Sequence, residues 1–494
     1  MSIRKVLVLR VEDTDDADKH AIHAQWMHIA LRKMGYEVDF MIVDENQTNN
    51  TDVTTGKSYE FAVIVHPFSY SPLGWLSTLS YGNTLPVFIV NHAEDGSWST
   101  TEIGVNRNQT AGYRLVTFDG IGELPCSCTT HEDTDTSGKE ITPLAWETAT
   151  TTNLVMWKQT SGTYNVYGSA EAGTSAPAES LFPILMQYAI NDSAITAPDR
   201  KLIATFDLDD MPTDETHTWT AAETRALVDD LVGAGMVTTI GVPASTTIGS
   251  RNQLADVWEG NGVNEVIRGA QARNGGPLYP IEHMGSTFWS TVEISSLPLG
   301  GQTKGAIDTF YRAHVTNMHN HGIYQGWDSD GLDSYGYHYF NTNRVDDKGL
   351  QLATPNTTLL ADPLGATAMA GYGWKVARMD SNSRVIGAVG DNTYQGINDY
   401  FGIRIIESQS PFADTDVDIS LASDPTSYSQ QVIQAYLTGS TMLDRATYMH
   451  GQNGDDYLNT AIDPPLRVTI ALIKLINDFC VNTLRCGHPS EYVR

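Results

Sequence analysis

Short apolar runs alternate with segments of helical periodicity over the first 125 residues. Apolar runs predict strands at Lys5–Arg10, Glu37–Val43, Phe61–Pro67 and Pro86–His92. Apolar residues at helical spacing predict helices at Lys19–Met34 and Leu73–Tyr81. This alternation predicts a doubly wound parallel sheet of the flavodoxin or Rossmann type in residues 1–125. The turn after the first strand, Val11–Asp18, carries five carboxylates and no glycine, so we expect no nucleotide there.

Residues 126–195 change character. They are rich in Thr, Ser and Gly, with strand-like runs at Asn153–Lys158 and Tyr164–Gly168 and a helix at Leu181–Asn191. We interpret them as a β-rich extension followed by a linker helix.

Strand and helix alternate again from residue 196 to residue 494. The segment opens with an apolar strand at Leu202–Phe206 and a helix at Thr220–Gly233, in which Thr220 and Glu223 have capping-box spacing. Later predicted elements are a strand at Val237–Val242, a helix at Lys304–Asn320, a helix–strand pair near Ala366–Arg378, strands at Arg384–Val389 and Phe401–Glu407, and a helix at Leu466–Leu484. The pattern predicts a distorted (β/α) barrel, so the chain as a whole is expected to be α/β.

The 494-residue chain carries 59 acidic and 30 basic residues, a net charge of −29. We therefore expect no nucleic-acid partner. No apolar run reaches the ~18 residues of a membrane span, so no membrane insertion is expected. Acidity, scarce lysine and abundant threonine indicate a halophilic protein, with ordinary acidic solubility as the alternative. The N-terminus lacks a signal peptide, which predicts synthesis in the cytoplasm and either retention there or release on a virion.

Three carboxylates follow the strand Leu202–Phe206, at Asp207, Asp209 and Asp210. Carboxylates crowded at a strand end repel one another unless a cation, a proton or strong donors hold them. Carboxyl ends of strands are also where α/β proteins form their sites. The cluster therefore predicts a metal and general-base site; a solvated acidic turn that caps the next helix is the alternative.

Histidines collect in the same half of the chain. They are His283, His314, His319, His321, His338 and His450. A lone histidine is usually a satisfied polar residue, but several placed after strand ends of one barrel suggest ligands or proton carriers. The four cysteines, Cys126, Cys128, Cys480 and Cys486, lack zinc-finger spacing and are read as free thiols or local disulfides.

The segments Thr205–Asp210, Ile281–Ser286 and Tyr448–His450 occur in the order of the motifs of the polysaccharide deacetylases. The chain resembles this NodB-homology family, as a divergent member with a Rossmann-like domain ahead of the barrel. The resemblance implies a distorted (β/α) barrel that binds a divalent metal, zinc for preference, and hydrolyses acetyl groups of carbohydrates.

The resemblance also implies roles for individual residues. Asp209 would be the catalytic base and His450 the general acid, with Asp210 and His283 as metal ligands and Asp207 in support. The family's second histidine, four residues after the first, is replaced by Thr287. The missing ligand is expected from His338 or His321, or from a water or an asparagine.

Three functions follow from these patterns. The first is a metal-dependent deacetylase that acts on a surface polysaccharide or on the glycan of a glycoprotein. The second is a non-catalytic glycan-binding or structural subunit, such as a virus tail or adhesin component, assembled into a larger particle or a homo-oligomer. The third is a glycosidase that pairs Asp209 with Asp328 or Asp330.

Overall fold

The structure is a computed structural model. It describes residues 4–12, 17–44, 58–65, 85–92, 106–132, 141–159, 163–168, 178–209, 220–236, 238–243, 278–283, 338–341, 374–380, 398–400, 403–409, 432–433, 436–437, 440, 445–450, 456–461 and 464–487. The helices expected at Leu73–Tyr81 and Lys304–Asn320 and the strand expected at Arg384–Val389 lie outside these residues.

Helices combine with parallel and antiparallel strands, so the chain is of the α/β class. It divides into two compact units. Unit 1 comprises Met1–Ile203, Ser440–Leu443 and Leu475–Arg485, and unit 2 comprises Ala204–Gly439, Asp444–Lys474 and Cys486–Arg494. The division near residue 203 lies close to the boundary expected at 195/196, but unit 1 also includes two later segments of the chain.

The described part of unit 1 contains a nine-stranded sheet. Its strands are β1 (Lys5–Glu12), β2 (Glu37–Asp44), β3 (Ala62–Val65), β4 (Val87–His92), β5 (Asn106–Phe118), β6 (Gly122–Glu132), β7 (Ile141–Glu147), β8 (Thr150–Gln159) and β9 (Thr163–Gly168). Five of them are parallel, in the order β2-β1-β3-β4-β9. The remaining pairings, from β9 through β8, are antiparallel.

The parallel strands form the core of unit 1. The runs Val6–Leu9, Ala62–Val65 and Phe88–Val90 are at most 1% exposed. Strands of a parallel sheet are buried on both faces, which explains why they read as continuous apolar runs in the sequence. Helix α1 (Ala17–Lys33) is followed by Gly35, whose φ of 97° suits a residue without a Cβ.

The antiparallel strands belong to the same sheet as the parallel ones. Strands β5 and β6 form a long hairpin, and Gly120 and Gly122 in its turn have φ values of 75° and 112°. The boundary expected between residues 125 and 126 falls inside β6. Apart from the buried run Leu154–Trp157 of β8, these strands mix polar and apolar residues, which makes their sequence less distinctive than that of the buried parallel strands.

The segment that follows helix α2 (Phe182–Asn191) is fastened to the sheet by Arg4. The Arg4 guanidinium donates from Nε to Glu60 Oε2 (2.7 Å) and from Nη2 to the carbonyl of Thr196 (2.9 Å). It also donates from Nη1 to the carbonyl of Ala197 (2.5 Å), while the Thr196 amide donates to Glu60 Oε1 (3.1 Å). These bonds fix the backbone shortly before the chain enters unit 2.

The second sheet contains the strands β10 (Leu202–Asp209), β11 (Thr238–Pro243), β12 (Leu278–His283), β13 (His338–Asn341), β14 (Trp374–Asp380), β15 (Asn398–Tyr400), β16 (Ile403–Gln409), β17 (Arg445–His450) and β18 (Leu484–Cys486). Seven pair in parallel in the order β10-β11-β12-β13-β14-β16-β17, and β17 pairs in parallel with β10. These strands therefore form a closed ring. The register slips by about eight residues in one circuit, the kind of stagger that closure of a barrel requires.

Local signals fix the described helices of unit 2. Helix α3 (Ala221–Gly233) has the predicted capping box: the Glu223 amide donates to Thr220 Oγ1 (3.2 Å), and the Thr220 amide donates to Glu223 Oε2 (2.9 Å). The buried Tyr457 donates from its hydroxyl to Asp230 Oδ2 (2.7 Å). Its ring centroid lies 5.1 Å from the guanidinium carbon of Arg467.

Helix α4 (Pro465–Phe479) is amphipathic and ends earlier than predicted. Its apolar residues Leu466, Ile470, Ile473 and Ile476 are at most 3% exposed. The chain turns after Cys480, where the Thr483 amide donates to the Cys480 carbonyl (3.0 Å), and then forms β18. Among the described helices, none combines the length and apolar character needed to cross a membrane.

Candidate functional site

Strand register assigns the residues of the seven-stranded ring to two faces, because successive residues of a strand alternate between faces. Tracing the paired positions from Asp209 through every strand leads to His450 on the same face. At the carboxyl ends of the strands this face, called the polar face below, carries Asp209, Pro243, His283, Asn341, Asp380, Ser408 and His450.

The opposite face has a different composition at the same ends. It carries Leu208, Val242, Glu282, Phe340, Met379, Glu407 and Met449. Residues of types that bind metals or exchange protons are thus more frequent on the polar face, while the other face carries two glutamates and Gln409 at these ends. In parallel barrels the carboxyl ends of the strands are where active sites form, so this edge is the candidate site.

Asp209 and His450 are direct register partners. They are the last residues of β10 and β17, and neighbouring strands lie about 4.8 Å apart. Asp207 and Tyr448 form the pair two residues earlier on the same face. The predicted base and the predicted general acid therefore lie side by side along the backbone. Asp210 lies outside the described residues.

His283 occupies the carboxyl end of β12, two strands from Asp209. Its register partners are Pro243 at the end of β11 and Asn341 at the end of β13. Proline offers no side-chain donor or acceptor, whereas an asparagine carbonyl can bind a metal ion. Of the two register partners of His283, Asn341 is therefore the one whose residue type can bind a metal ion.

His338 lies at the other end of β13. It is the first residue of this strand and pairs with Trp374, the first residue of β14. Three residues separate it from Asn341, which amounts to about 10 Å of extended strand. This placement does not favour the predicted role of His338 as a metal ligand beside His283. His321 lies outside the described residues, as do Thr287, Asp328 and Asp330.

Three polar residues at this edge were not expected to belong to the site. Asn341 and Ser408 are close to the carboxyl ends of β13 and β16, and Asp380 ends β14. The signal for Asp380 resembles that for Asp209, because a strand-like run ends in a carboxylate. It was missed because the predicted strand stopped at Arg378, two residues short of the observed end.

Other groups in the described part of the chain do not form a competing metal site. Among the residues whose side chains the structure describes, no three His, Cys, Asp or Glu side chains could together hold a metal ion. The four cysteines are free, buried thiols. Burial raises the pKa of Cys128 and of Cys480 to about 12, so both thiols stay protonated and unreactive near neutral pH.

Comparison with known proteins gives little further information. No protein-family model matches the chain, and no curated protein matches it. Solved structures that are similar include a ThuA-like protein from Bacteroides uniformis ATCC 8492, with 10% identity, a TM-score of 0.23 and coverage of 34% of this chain and 82% of that chain. Another is a ThuA-like protein from Parabacteroides merdae ATCC 43184, with 12% identity, a TM-score of 0.29 and coverage of 44% of this chain and 98% of that chain. We draw no conclusion from likenesses this distant.

Proposed function

We propose that unit 2 is a metal-dependent hydrolase that removes N- or O-acetyl groups from a cell-surface carbohydrate. The observation that carries this proposal is the register pair Asp209–His450 at the carboxyl ends of a closed parallel ring. A carboxylate base and an imidazole acid held side by side suit the hydrolysis of an amide or ester. The three sequence motifs that resemble those of polysaccharide deacetylases each contain one of the ring positions Asp209, His283 and His450.

The same reasoning extends to the finer fold assignment. We assign the ring to the distorted (β/α) barrel of the deacetylases, on the support of its seven parallel strands and of the motif order. The parallel strands of unit 1 follow the order β2-β1-β3-β4-β9. This is the doubly wound order of flavodoxin-like domains, so we assign that part of unit 1 to the flavodoxin-like class.

The donor types at the polar face fit a divalent cation. Carboxylates and imidazoles are the usual oxygen and nitrogen ligands of zinc, and both occur at the carboxyl ends of this face. In this proposal Asp210 and His283 hold the ion. When bound, the cation polarises the acyl carbonyl and lowers the pKa of the attacking water.

Two residues carry the proton transfers. Asp209 takes a proton from the water while the water oxygen forms a bond to the acyl carbon. His450, in its protonated form, gives a proton to the leaving nitrogen or oxygen as its bond to the acyl carbon breaks. Asp207, on the same face two residues before Asp209, keeps the supporting role that the resemblance implies.

Acetate release tests this proposal directly. The purified 494-residue protein, kept at high salt, is incubated with acetylated chitin oligosaccharides and with acetylated xylan, and acetate is measured by a coupled enzymatic assay. We expect release that stops with a chelator and returns with zinc. Asp209→Asn and His450→Ala should each lower kcat by about 10²- to 10⁴-fold. Asp229→Asn, an exposed change on α3, should leave kcat unchanged.

Other outcomes would identify a different function. Release of reducing ends without acetate, insensitive to chelator, would indicate a glycosidase instead. Absence of both products, with retained affinity for a surface polysaccharide or a glycoprotein glycan, would indicate the binding-subunit alternative. Either result would overturn the proposed deacetylase activity.

A further inference from the structure

We propose that Asn341 supplies the metal ligand that replaces the missing second histidine, an inference that rests on the metal-dependent function proposed above. The resemblance to deacetylases leaves one ligand unassigned, because Thr287 stands four residues after His283. The register of β12 and β13 identifies a candidate that sequence spacing alone does not. The ion would then have a mixed ligand set of carboxylate, imidazole and carboxamide.

The first support is position. His283 and Asn341 are Cα partners, and each is the last residue of its strand. The two strands are parallel and about 4.8 Å apart, so both residues lie on the same face at the same edge. Residues on one face of adjacent strands are close enough to share an ion whose ligand bonds are about 2.0–2.2 Å long.

The second support is elimination among the neighbours of His283 and among the described histidines. Pro243, its register partner on the other side, has no side-chain ligand atom. His338 is in the same strand as Asn341 but at its amino end, about 10 Å away along the strand. His450 has a separate role as the general acid and lies beside Asp209.

The ligand type has a chemical consequence. Imidazole suits zinc, whereas carboxylate and carbonyl oxygens suit manganese and other hard cations. A site with Asn341 in place of a histidine should therefore prefer zinc over manganese less strongly than a site with two histidines. Replacing the asparagine with histidine should restore that preference.

The test is calorimetric titration of the chelator-stripped 494-residue protein with zinc chloride and with manganese chloride. Asn341→Ala should weaken zinc binding by at least about tenfold. Asn341→His should bind zinc at least as tightly as the wild type and should raise the ratio of zinc to manganese affinity. Asn398→Ala, a matched change in β15, and His338→Ala should both bind zinc like the wild type. Far-ultraviolet circular dichroism confirms that each variant is folded.

The outcomes separate the two proposals. If Asn341→Ala binds zinc normally while His283→Ala does not, the inference fails and the proposed metal site stands. If His338→Ala loses zinc and Asn341→Ala keeps it, the second ligand is a histidine and the inference fails. If the wild type binds neither metal, the proposed function and the inference fail together.

Discussion

The Arg4–Glu60 pair gives a prediction whose magnitude follows from the structure. Arg4 and Glu60 have side chains that are 17% and 20% exposed. Arg4→Ala removes the donors to the Glu60 carboxylate and to the carbonyls of Thr196 and Ala197. Each charge-assisted bond is worth about 1.5–3 kcal/mol when buried, but partial solvation and non-additivity reduce the sum. We expect Arg4→Ala to lower the free energy of opening of this region by about 3 kcal/mol.

A double-mutant cycle isolates the pair itself. Exposed ion pairs contribute at most about 1 kcal/mol, and breaking a fully buried pair costs about 3–5 kcal/mol. A pair that is mostly buried should lie between these limits, so we expect a coupling free energy of about 2 kcal/mol between Arg4→Ala and Glu60→Ala.

Native-state hydrogen exchange read by mass spectrometry is the suitable assay, because a chain with two compact units need not unfold in one step. The peptides to follow contain β1 and residues 194–200, including the Thr196 amide that donates to Glu60. Lys5→Ala is the matched control. Lys5 is adjacent in sequence and also ion-paired, with Glu37 at 2.7 Å, but these side chains are 34% and 41% exposed, so protection should change little. A coupling free energy below about 0.5 kcal/mol between Arg4 and Glu60 would contradict this prediction, because so small a coupling is typical of a solvent-exposed ion pair.

Three further predictions concern particular contacts. Tyr457→Phe removes the hydroxyl that donates to Asp230 and should lower the free energy of unfolding of unit 2 by about 1–2 kcal/mol; an unchanged urea midpoint would contradict it. Gly35→Ala should destabilise unit 1 by about 1–3 kcal/mol in a thermal melting assay, because φ is 97° and the new Cβ would lie 3.2 Å from Asp199 Cβ. As a control, a Cβ added by Gly233→Ala meets no atom within 4 Å, so this change should be neutral or slightly stabilising. The native protein should resist a thiol reagent at pH 8, because all four cysteines are buried and burial raises the pKa of Cys128 and Cys480 to about 12. All four cysteines should react after unfolding, and rapid labelling of the native protein would contradict the prediction.

The elements that sequence reasoning found best are those with strong local signals. The buried strands β1 to β4 are continuous apolar runs, and the start of α3 carries its capping box in the residues Thr220 and Glu223. The long β5–β6 hairpin was not predicted, because β5 begins with five polar residues, β6 has no long apolar run, and its stability depends on pairing within the sheet. The ends of helices and strands were displaced by a few residues, as at α4, where a turn after Cys480 ends the helix.

The candidate site could be predicted only in part for a related reason. Asp209, His283 and His450 lie at the ends of strand-like runs, which is a local pattern visible in the sequence. The neighbours of these residues depend on long-range strand pairing. Asn341 becomes the register partner of His283 only when β12 and β13 pair, and His338 lies at the opposite end of β13 from Asn341. Strand pairing of this kind depends on tertiary structure and is not encoded in the spacing of residues.

The most direct test of the proposed site is a crystal of the zinc-loaded protein measured at the zinc absorption edge. The account predicts one strong anomalous peak at the carboxyl ends of the ring, within ligand distance of Asp210, His283 and Asn341 and beside Asp209 and His450. The same crystal form of His283→Ala should lose the peak. A zinc peak elsewhere in the molecule, or none in zinc-soaked wild-type crystals, would contradict the account.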